Sequence, residues 1–513
     1  MLLVALALIA SACGAPMVPD PDPEAAAFGE TAFGLAAGGN ELVRFGTAGG
    51  STMAITGVTN GTSLLAIDYR PSNGLLYALA SDGQLYTLDA DGTAHAVGLP
   101  QSYGDLGEGV AFDFNPQVDA IRVVVTSNGG NFVANPVSGG RAEFTASAFA
   151  GGDANAGTTP SVAATAYDMN IAPFPATGAT VQYSIETQAN VLAIQEKNAG
   201  TLNTVAPLGM DVAADAALDI SGETGTAYVL LTAEGMRHMY EIDLDDGSLL
   251  LLAVEATQLV DFTIVPGGMI ADAPVLSESA FGLSMDGLRL VAIGGASMEI
   301  AGLNDDTSLL ALDHRPSDDT LYALGSDGQL YTLAQDGSAS AVGAPQTYGD
   351  LGGGVAFDVN AQVDAIRVVT TAEGRNFVTT PATGETVEFT TSAFADGDEF
   401  AGTMPSVAAT AYDLSLSPFP DGSVTTQYSL ESEANVLAVQ GKNAGTLETI
   451  AELPFDFTSL AGLDISSATG TAYALLTTMD GAQGLYEIDV ESGALTRLAT
   501  PVTDLRAVVI VPD

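Results

Sequence analysis

Two short strings of oxygen-bearing residues have the composition of a metal site. The candidate ligands are Asp113, Asn115 and Asp119 in DFNPQVD, and Asp358, Asn360 and Asp364 in DVNAQVD. Calcium is bound by carboxylate and amide oxygens of this kind, but an EF-hand loop also needs a glycine and a terminal glutamate, which both strings lack. Structural turns are the simpler explanation. The sequence therefore predicts no cofactor, with calcium as the alternative.

Pairs of carboxylates could also hydrolyse glycosidic bonds. That chemistry needs two acids at a defined separation, one of them with a raised pKa. The chain has 63 acidic residues, so the sequence selects no pair. The candidates are four acids that recur 245 residues later, Asp68, Asp113, Asp168 and Asp219. An extracellular hydrolase that uses carboxylates or calcium is therefore the alternative function.

Six of the 13 basic residues recur at the same spacing. Arg70, Arg122 and Lys197 are followed by Arg315, Arg367 and Lys442. As a cluster they would bind an anion or a carboxylate. Carboxylates also stand nearby in sequence, because Asp68 precedes Arg70 by two residues and Asp119 precedes Arg122 by three. We favour structural ion pairs and keep anion binding as the alternative.

Nucleophilic catalysis is not expected. The three histidines are His95, His238 and His314, and none of them recurs at the equivalent place. A catalytic triad needs a base beside its nucleophile, and no GxSxG turn or phosphate-binding loop is present. We assign no catalytic residue, and a binding role is favoured over an enzyme.

The single cysteine, Cys13, follows the apolar stretch MLLVALALIASA of residues 1–12. That stretch is too short to span a bilayer, which needs about 20 apolar residues, and it fits a secretory signal. ASAC resembles the lipobox of bacterial lipoproteins, which implies lipidation of Cys13. No basic residue precedes the stretch, so an ordinary cleaved signal is the alternative. Gly14 after the cysteine favours the outer membrane or cell surface, and residues 13–29 would form a tether.

Charge excludes several classes of protein. With 63 acidic and 13 basic residues the formal net charge is −50, while 47% of the residues are hydrophobic. A disordered acidic tail would be poor in apolar residues, so the charge belongs on the surface of filled cores. A nucleic-acid partner is not expected, because it requires a basic surface. The expected partners are the envelope membrane, through the lipid on Cys13, and an extracellular protein or polysaccharide.

The chain contains two tandem copies of one domain. TSLLAID at residues 62–68 returns as TSLLALD at residues 307–313, and PSVAATAYD at residues 160–168 returns unchanged 245 residues later. The copies occupy residues 30–267 and 277–513, and residues 268–276 link them. Agreement between the copies aligns them but is no measure of conservation.

Within each copy, short apolar segments alternate with tight turns. Residues 63–98 contain four such segments, separated by the turns PSNG, SDG and ADG. Four short antiparallel strands of this kind form the unit of a propeller blade. The first unit lacks one strand, and residues 259–266 supply an unpaired one. We therefore predict an all-β fold of two propellers with five four-stranded blades each, closed by the last strand of each copy. Six or seven blades, or one ten-bladed ring, are the alternatives.

Longer strings point to a family. SLLAIDYRPSNGLLYALASDGQLYTL, GVAFDFNPQVDAIRVV and NAGTLNTVAPLG occur in this order, and their counterparts fill the second copy. They resemble the bacterial domain of unknown function 4394 (DUF4394). The resemblance implies a secreted or surface domain of propeller type and implies no activity. The sequence thus predicts an envelope lipoprotein with a binding or scaffolding role.

Overall fold

A computed structural model describes residues 25–107, 109–502 and 504–512. The described chain is all-β and forms ten sheets, five from each copy. Residues 1–12 and Cys13 lie outside the described residues. No helix among the described residues is long and apolar enough to cross a membrane.

The strands of the first copy form sheets A to E. Sheet A contains β1 (Thr31–Ala36), β2 (Glu41–Gly46), β3 (Ser51–Ala54) and, from the end of the copy, β21 (Leu259–Ile264). Sheet B contains β4 (Leu64–Tyr69), β5 (Leu76–Ala80), β6 (Leu85–Leu88) and β7 (Ala94–Val97). Sheet C contains β8 (Val110–Asn115), β9 (Ala120–Val125), β10 (Asn131–Ala134) and β11 (Arg141–Phe144). Sheet D contains β12 (Ala148–Phe149), β13 (Val162–Tyr167), β14 (Gln182–Glu186), β15 (Val191–Glu196) and β16 (Thr201–Pro207). Sheet E contains β17 (Ala217–Ile220), β18 (Ala227–Ala233), β19 (Met236–Ile242) and β20 (Leu249–Leu251).

The second copy repeats this order as sheets A′ to E′. Sheet A′ contains β22 (Ser279–Ser284), β23 (Arg289–Ala292), β24 (Ser297–Glu299) and β42 (Leu505–Val511). Sheet B′ contains β25 (Leu309–Arg315), β26 (Thr320–Gly325), β27 (Leu330–Leu333) and β28 (Ala339–Val342). Sheet C′ contains β29 (Val355–Asn360), β30 (Ala365–Thr370), β31 (Asn376–Thr379) and β32 (Thr386–Glu388). Sheet D′ contains β33 (Ala393–Phe394), β34 (Val407–Tyr412), β35 (Gln427–Glu431), β36 (Val436–Gln440) and β37 (Thr446–Glu452). Sheet E′ contains β38 (Gly462–Ile465), β39 (Ala472–Thr477), β40 (Gln483–Ile488) and β41 (Leu495–Arg497). Short 3-10 turns span Lys197–Ala199, Pro266–Gly268 and Lys442–Ala444.

Turn chemistry explains why the strands end where they do. In the SDG turn after β5, the Asp82 carboxylate accepts the amide of Gln84 at 3.1 Å. Gly83 has a φ of 82°, and a Cβ there would lie 1.9 Å from the carbonyl oxygen of Gln101. Only glycine satisfies both conditions.

The last strand of each copy pairs with the first strand of the same copy. β21 pairs with β1 and β42 pairs with β22, both antiparallel. Neither strand pairs with the first sheet of the other copy, as the ten-bladed alternative required. The innermost strands of the first copy, in the order β21, β4, β8, β13 and β17, each lie beside the next, and β17 lies beside β21. β42, β25, β29, β34 and β38 repeat this order.

Apolar clusters fill the spaces between neighbouring sheets. One cluster joins Tyr77 and Leu79 of sheet B to Phe112 and Phe114 of sheet C, and corresponding clusters join the other neighbours in both copies. A strand buried on both faces is apolar throughout, without alternation. The sheets are therefore stacked face to face like the blades of a propeller.

Two details differ from the sequence-based expectation. Sheets D and D′ have five strands, because β12 and β33 add a short parallel edge strand to β16 and β37. Part of the assigned tether also packs on the first copy. Phe28 is buried, with its ring centroid 5.1 Å from that of Tyr228, and the amide of Ala26 donates to Leu251 O at 2.9 Å. Residues 25–29 thus belong to the folded part.

The copies are joined by more than the linker. The linker packs on both copies, because the amide of Ala273 donates to Asp89, which follows β6, at 2.8 Å, and Ala499 donates to Pro274 O at 2.7 Å. A direct bond joins the copies as well, from the Asn135 amide group to Pro454 O at 3.1 Å. Val137, from the turn after β10, packs into the apolar cluster between sheets D′ and E′. Sheets B and C therefore face sheet E′ across an interface.

Candidate functional site

Three carboxylates converge where the innermost strands of the first copy meet. Asp68 lies on β4, Asp113 on β8 and Asp219 on β17. One oxygen from each lies within 4.8 Å of the others, and each residue is 2% exposed. We call these residues the first trio. The second trio, with the same spacing, is Asp313, Asp358 and Asp464.

Each carboxylate of the first trio binds the backbone of the next innermost strand. Asp68 accepts the amide of Phe114 at 2.7 Å, and Asp113 accepts that of Tyr167 at 2.8 Å. Asp219 accepts the amide of Ile264 at 2.5 Å. Since an amide between packed sheets has no water to bind, an acceptor is needed there. The trio thus ties neighbouring sheets together.

The closing strand adds a hydroxyl at the same level. The Thr263 hydroxyl donates to Asp68 at 2.8 Å and accepts the amide of Tyr69 at 3.2 Å. Thr263 precedes Ile264, whose amide is bonded by the trio. On β13 the equivalent bonded amide is that of Tyr167, so the residue that corresponds to Thr263 is Ala166. Asp168 lies beyond this level and accepts the amide of Val181 at 2.7 Å. It is therefore the one of the four aligned acids that does not converge.

Burial shifts the titration of these groups. It raises the pKa of Asp68 and of Asp113 well above the usual range, and the neighbouring carboxylates raise them further. It raises the pKa of Asp219 to about 6, against the opposing effect of two backbone amides. No cationic side chain bonds to the trio within the described ranges. Its charge must be neutralised by protons or by a bound cation, because isolated buried charges are very costly.

The second trio keeps the same links. Asp313 accepts the amide of Val359 at 2.6 Å, Asp358 that of Tyr412 at 3.0 Å, and Asp464 that of Ile510 at 2.5 Å. Burial raises the pKa of Asp464 to about 7.

The closing strands are not the same. Val509 on β42 stands before Ile510, where the first copy has Thr263. Ala507 replaces Asp261, whose carboxylate accepts the amide of Ile67 at 2.8 Å and whose pKa burial raises to about 7.

The residues of DFNPQVD and DVNAQVD that were predicted as metal ligands lie at different places in the fold. Asp113 and Asp358 belong to the trios. Asn115 accepts the amide of Gln117 at 3.0 Å, and Asp119 binds Arg70. In the second copy Asn360 accepts the amide of Gln362 at 2.9 Å, and Asp364 binds Arg315. The six residues therefore do not form two common sites.

The six recurring cations are likewise dispersed, each contacting a neighbouring segment. Arg70 makes a two-pronged bond to Asp119, at 2.9 and 2.6 Å. Arg122 donates to Tyr167, Asn131 and Asn198, and Lys197 donates to Gln117 at 3.1 Å. The contacts of the second copy are Arg315 with Asp364 and Asp318, Arg367 with Tyr412, Asn376 and Asn443, and Lys442 with Thr425.

Sequence reasoning missed the closing strand's contribution. Asp261 and Thr263 stand in the string LVDFTIV, where the aspartate follows two apolar residues at the start of β21. The usable signal was positional: in AIDY, FDFN and LDIS an aspartate follows an apolar start of the innermost strand.

Known proteins place the chain in a family without adding an activity. The profile of a family described as "Domain of unknown function (DUF4394)" matches residues 42–262 and 291–508. No curated protein is significantly similar in sequence. Among solved structures, virginiamycin B lyase from Staphylococcus aureus is 15% identical with a TM-score of 0.26, covering 64% of this chain and 94% of that chain. A protein of unknown function from Bacteroides caccae is 10% identical with a TM-score of 0.31, covering 56% and 99%. Neither likeness is close enough to carry an argument.

Proposed function

The chain belongs to the DUF4394 family, whose domain it carries twice, and from this premise we propose that it is a binding or scaffolding protein of the cell envelope. The observation that carries this proposal is the use made of the converging acids. Asp68, Asp113 and Asp219 each hold a backbone amide of the neighbouring sheet and are closed off from solvent. A catalytic carboxylate must instead reach the bond it cleaves.

The proposal includes a geometry of two five-bladed propellers. The cyclic contacts of the innermost strands support it, as do the pairings of β21 with β1 and of β42 with β22. Closing a ring in this way removes exposed sheet edges. Solution scattering should then fit two compact bodies of equal size.

Attachment to the envelope is proposed from the sequence alone. A lipidated Cys13 would anchor the protein in the outer membrane or at the cell surface, and residues 14–24 would then separate the folded part from the bilayer. Labelling cells with radioactive palmitate tests this. The native chain should be labelled and C13A should not, whereas equal labelling would remove the anchor.

A pull-down from the native cell surface tests the binding role. The intact protein should retain a specific extracellular protein or polysaccharide. Baits carrying D219A or D464A should retain the same partner as long as they stay folded, because the trio is structural in this proposal. Turnover of an extracellular polymer by the native chain, abolished by D113N without loss of folding, would overturn the proposal in favour of a hydrolase.

Calcium in the trios is the second candidate, and it rests on the uncompensated charge. A calcium ion binds oxygens at about 2.3–2.6 Å, so oxygens within 4.8 Å of one another can share one ion. Calorimetry with calcium should detect two sites per chain, one of which disappears in D113N and the other in D358N. Absence of binding by the native, chelator-treated protein would leave protons as the neutralising species.

A further inference from the structure

A cavity of about 260 Å³ lies between the two copies. Sheet B contributes Tyr77 and His95, the turn after β10 contributes Val137, and β41 of the second copy contributes Leu495 and Arg497. Pockets that hold drug-sized ligands have volumes of about 300–1,000 Å³, so this cavity suits a smaller molecule. Neither copy alone could form it.

The wall of this cavity carries basic side chains and no acidic ones. Arg70, His95 and Arg497 line it, and no aspartate or glutamate does, although the sequence has 63 acidic and 13 basic residues. The adjoining groove of about 1,020 Å³ is different, because its walls carry Asp119, Glu452, Asp456 and Asp480. Arg70 and His95 are paired with Asp119 and Asp89, which lie outside the wall, so Arg497 is the one basic residue of the wall without a carboxylate partner among the described residues.

Arg497 has N–H donors that are not used by a carboxylate. It donates to the Tyr486 hydroxyl at 2.8 Å and to Gln483 O at 3.4 Å. No carboxylate pairs with it in the part of the chain that the structure describes. Arg70, by contrast, is already bound to Asp119 and donates to Tyr77 at 3.0 Å. A guanidinium has five N–H donors and matches a carboxylate with two parallel bonds.

The remaining wall favours an apolar body. Leu75, Val97, Val137, Leu495 and Leu498 supply aliphatic surface, while His95 is held by Asp89 at 2.7 Å. A ligand with a carboxylate at one end and an apolar body at the other would satisfy both parts of the wall.

Two of the three basic residues of the wall have no basic counterpart in the other copy, whereas Arg70 recurs as Arg315. Sequence alignment of the copies places Leu251 opposite Arg497 and Ser340 opposite His95. The chain itself thus supplies the substitutions that should abolish the site.

We infer that this cavity binds a small organic carboxylate, with Arg497 as its anchor. The site specifies a ligand class for the binding role proposed above, but it involves neither the trios nor the envelope anchor. Failure of the surface pull-down would therefore leave this inference untouched.

Calorimetry on the full chain tests it, with benzoate as probe and benzyl alcohol as the neutral control. Benzoate should bind saturably and benzyl alcohol at least about tenfold more weakly, as expected when a charge-assisted bond is missing. R497L, which installs the residue of the first copy, should weaken benzoate by a similar factor. R289L, at a half-buried arginine paired with Glu299 far from the cavity wall, should bind like the native chain.

A second variant keeps the test decisive if R497L fails to fold. V137W fills the cavity from the first copy and should abolish benzoate binding. Equal binding of benzoate and benzyl alcohol, or unchanged affinity in R497L or V137W, would overturn the inference, as would absence of benzoate binding to the native chain.

Discussion

The two copies keep the same carboxylate trio and differ in the strand that closes it. In the first copy Thr263 bonds Asp68, and Asp261 holds the amide of Ile67. In the second copy Val509 and Ala507 stand at these places, yet Asp464 still accepts the amide of Ile510 at 2.5 Å. The second copy thus keeps the trio links and the pairing of β42 with β22 without the polar groups that β21 adds in the first copy.

A cation beside the closing strand also differs. Arg237 on β19 donates to Val260 O at 2.9 Å and pairs with Asp215. In the second copy Gln483 takes its place, donating to Leu505 O at 2.7 Å. Arg506 enters instead from β42 itself, and its Nε is buried without a partner. The first copy is thus the more polar at its closure and should depend more on pH.

Removing one trio member should have the largest effect, equal in the two copies. D219A and D464A each deprive two buried amides of their acceptor, at about 1–3 kcal/mol per amide. We expect each to lower the free energy of unfolding by about 2–6 kcal/mol in urea titrations. The exposed turn variants D91A and D336A should cost far less, because surface substitutions of this kind change stability little. Similar losses in all four would contradict a special role for the trio.

The pH dependence of stability should be the next largest difference between the copies. Asp219 and Asp261 have pKa values raised to about 6 and about 7, from 3.8, so the folded first copy holds protons that the unfolded chain has released. Its stability should therefore fall as the pH rises from about 4, by about 1.4 kcal/mol per pH unit for each carboxyl, up to about pH 6 for Asp219 and about pH 7 for Asp261. The second copy, with Asp464 at about 7 and no counterpart of Asp261, should fall less steeply.

Urea titrations at several pH values in chelator check this. D261A should flatten the slope of the first copy toward that of the second. Stability that rises over this range would contradict the sign.

Exchanging the closing residue sharpens the comparison further. T263V removes the hydroxyl that bonds Asp68 and should cost about 1–2 kcal/mol, measured by thermal unfolding. The reciprocal V509T supplies a donor near Asp313 and should be neutral or slightly stabilising. The reverse order of effects would show that the hydroxyl does not stabilise the closure.

The interface should give the smallest effect. Gln101 donates to Asp480 of the second copy at 2.9 Å, whereas its counterpart Gln346 donates to Ala344 O within its own loop. Q101A should therefore destabilise the contact between copies by at most about 1 kcal/mol, and Q346A should leave it unchanged. Equal effects on the separation of the two unfolding transitions would contradict this assignment.

The strands followed from the sequence because their causes are local. Turns such as that at Gly83 and the apolar runs of β5 and β6 are legible in a few residues, and the repeat of 245 residues aligned the copies. The short parallel strands β12 and β33 were missed, because two residues of edge pairing leave no periodic signal.

The trio could be predicted only in part. Asp68, Asp113 and Asp219 were among the aligned acids, but their convergence depends on how strands far apart in sequence meet. The metal prediction kept Asp113 and added Asn115 and Asp119, which lie where the chain leaves β8 and turns away. The cavity at Arg497 left no trace in the sequence, because which faces of two copies meet is set by shape.

Hydrogen exchange at two equivalent amides tests the central claim most directly. The amide of Tyr167 is held by Asp113, and that of Tyr412 by Asp358. D113A should lose protection at Tyr167 and keep it at Tyr412, and D358A should do the opposite. If both amides stay as protected as in the native chain in both variants, the buried carboxylates do not tie the sheets together and the account is wrong.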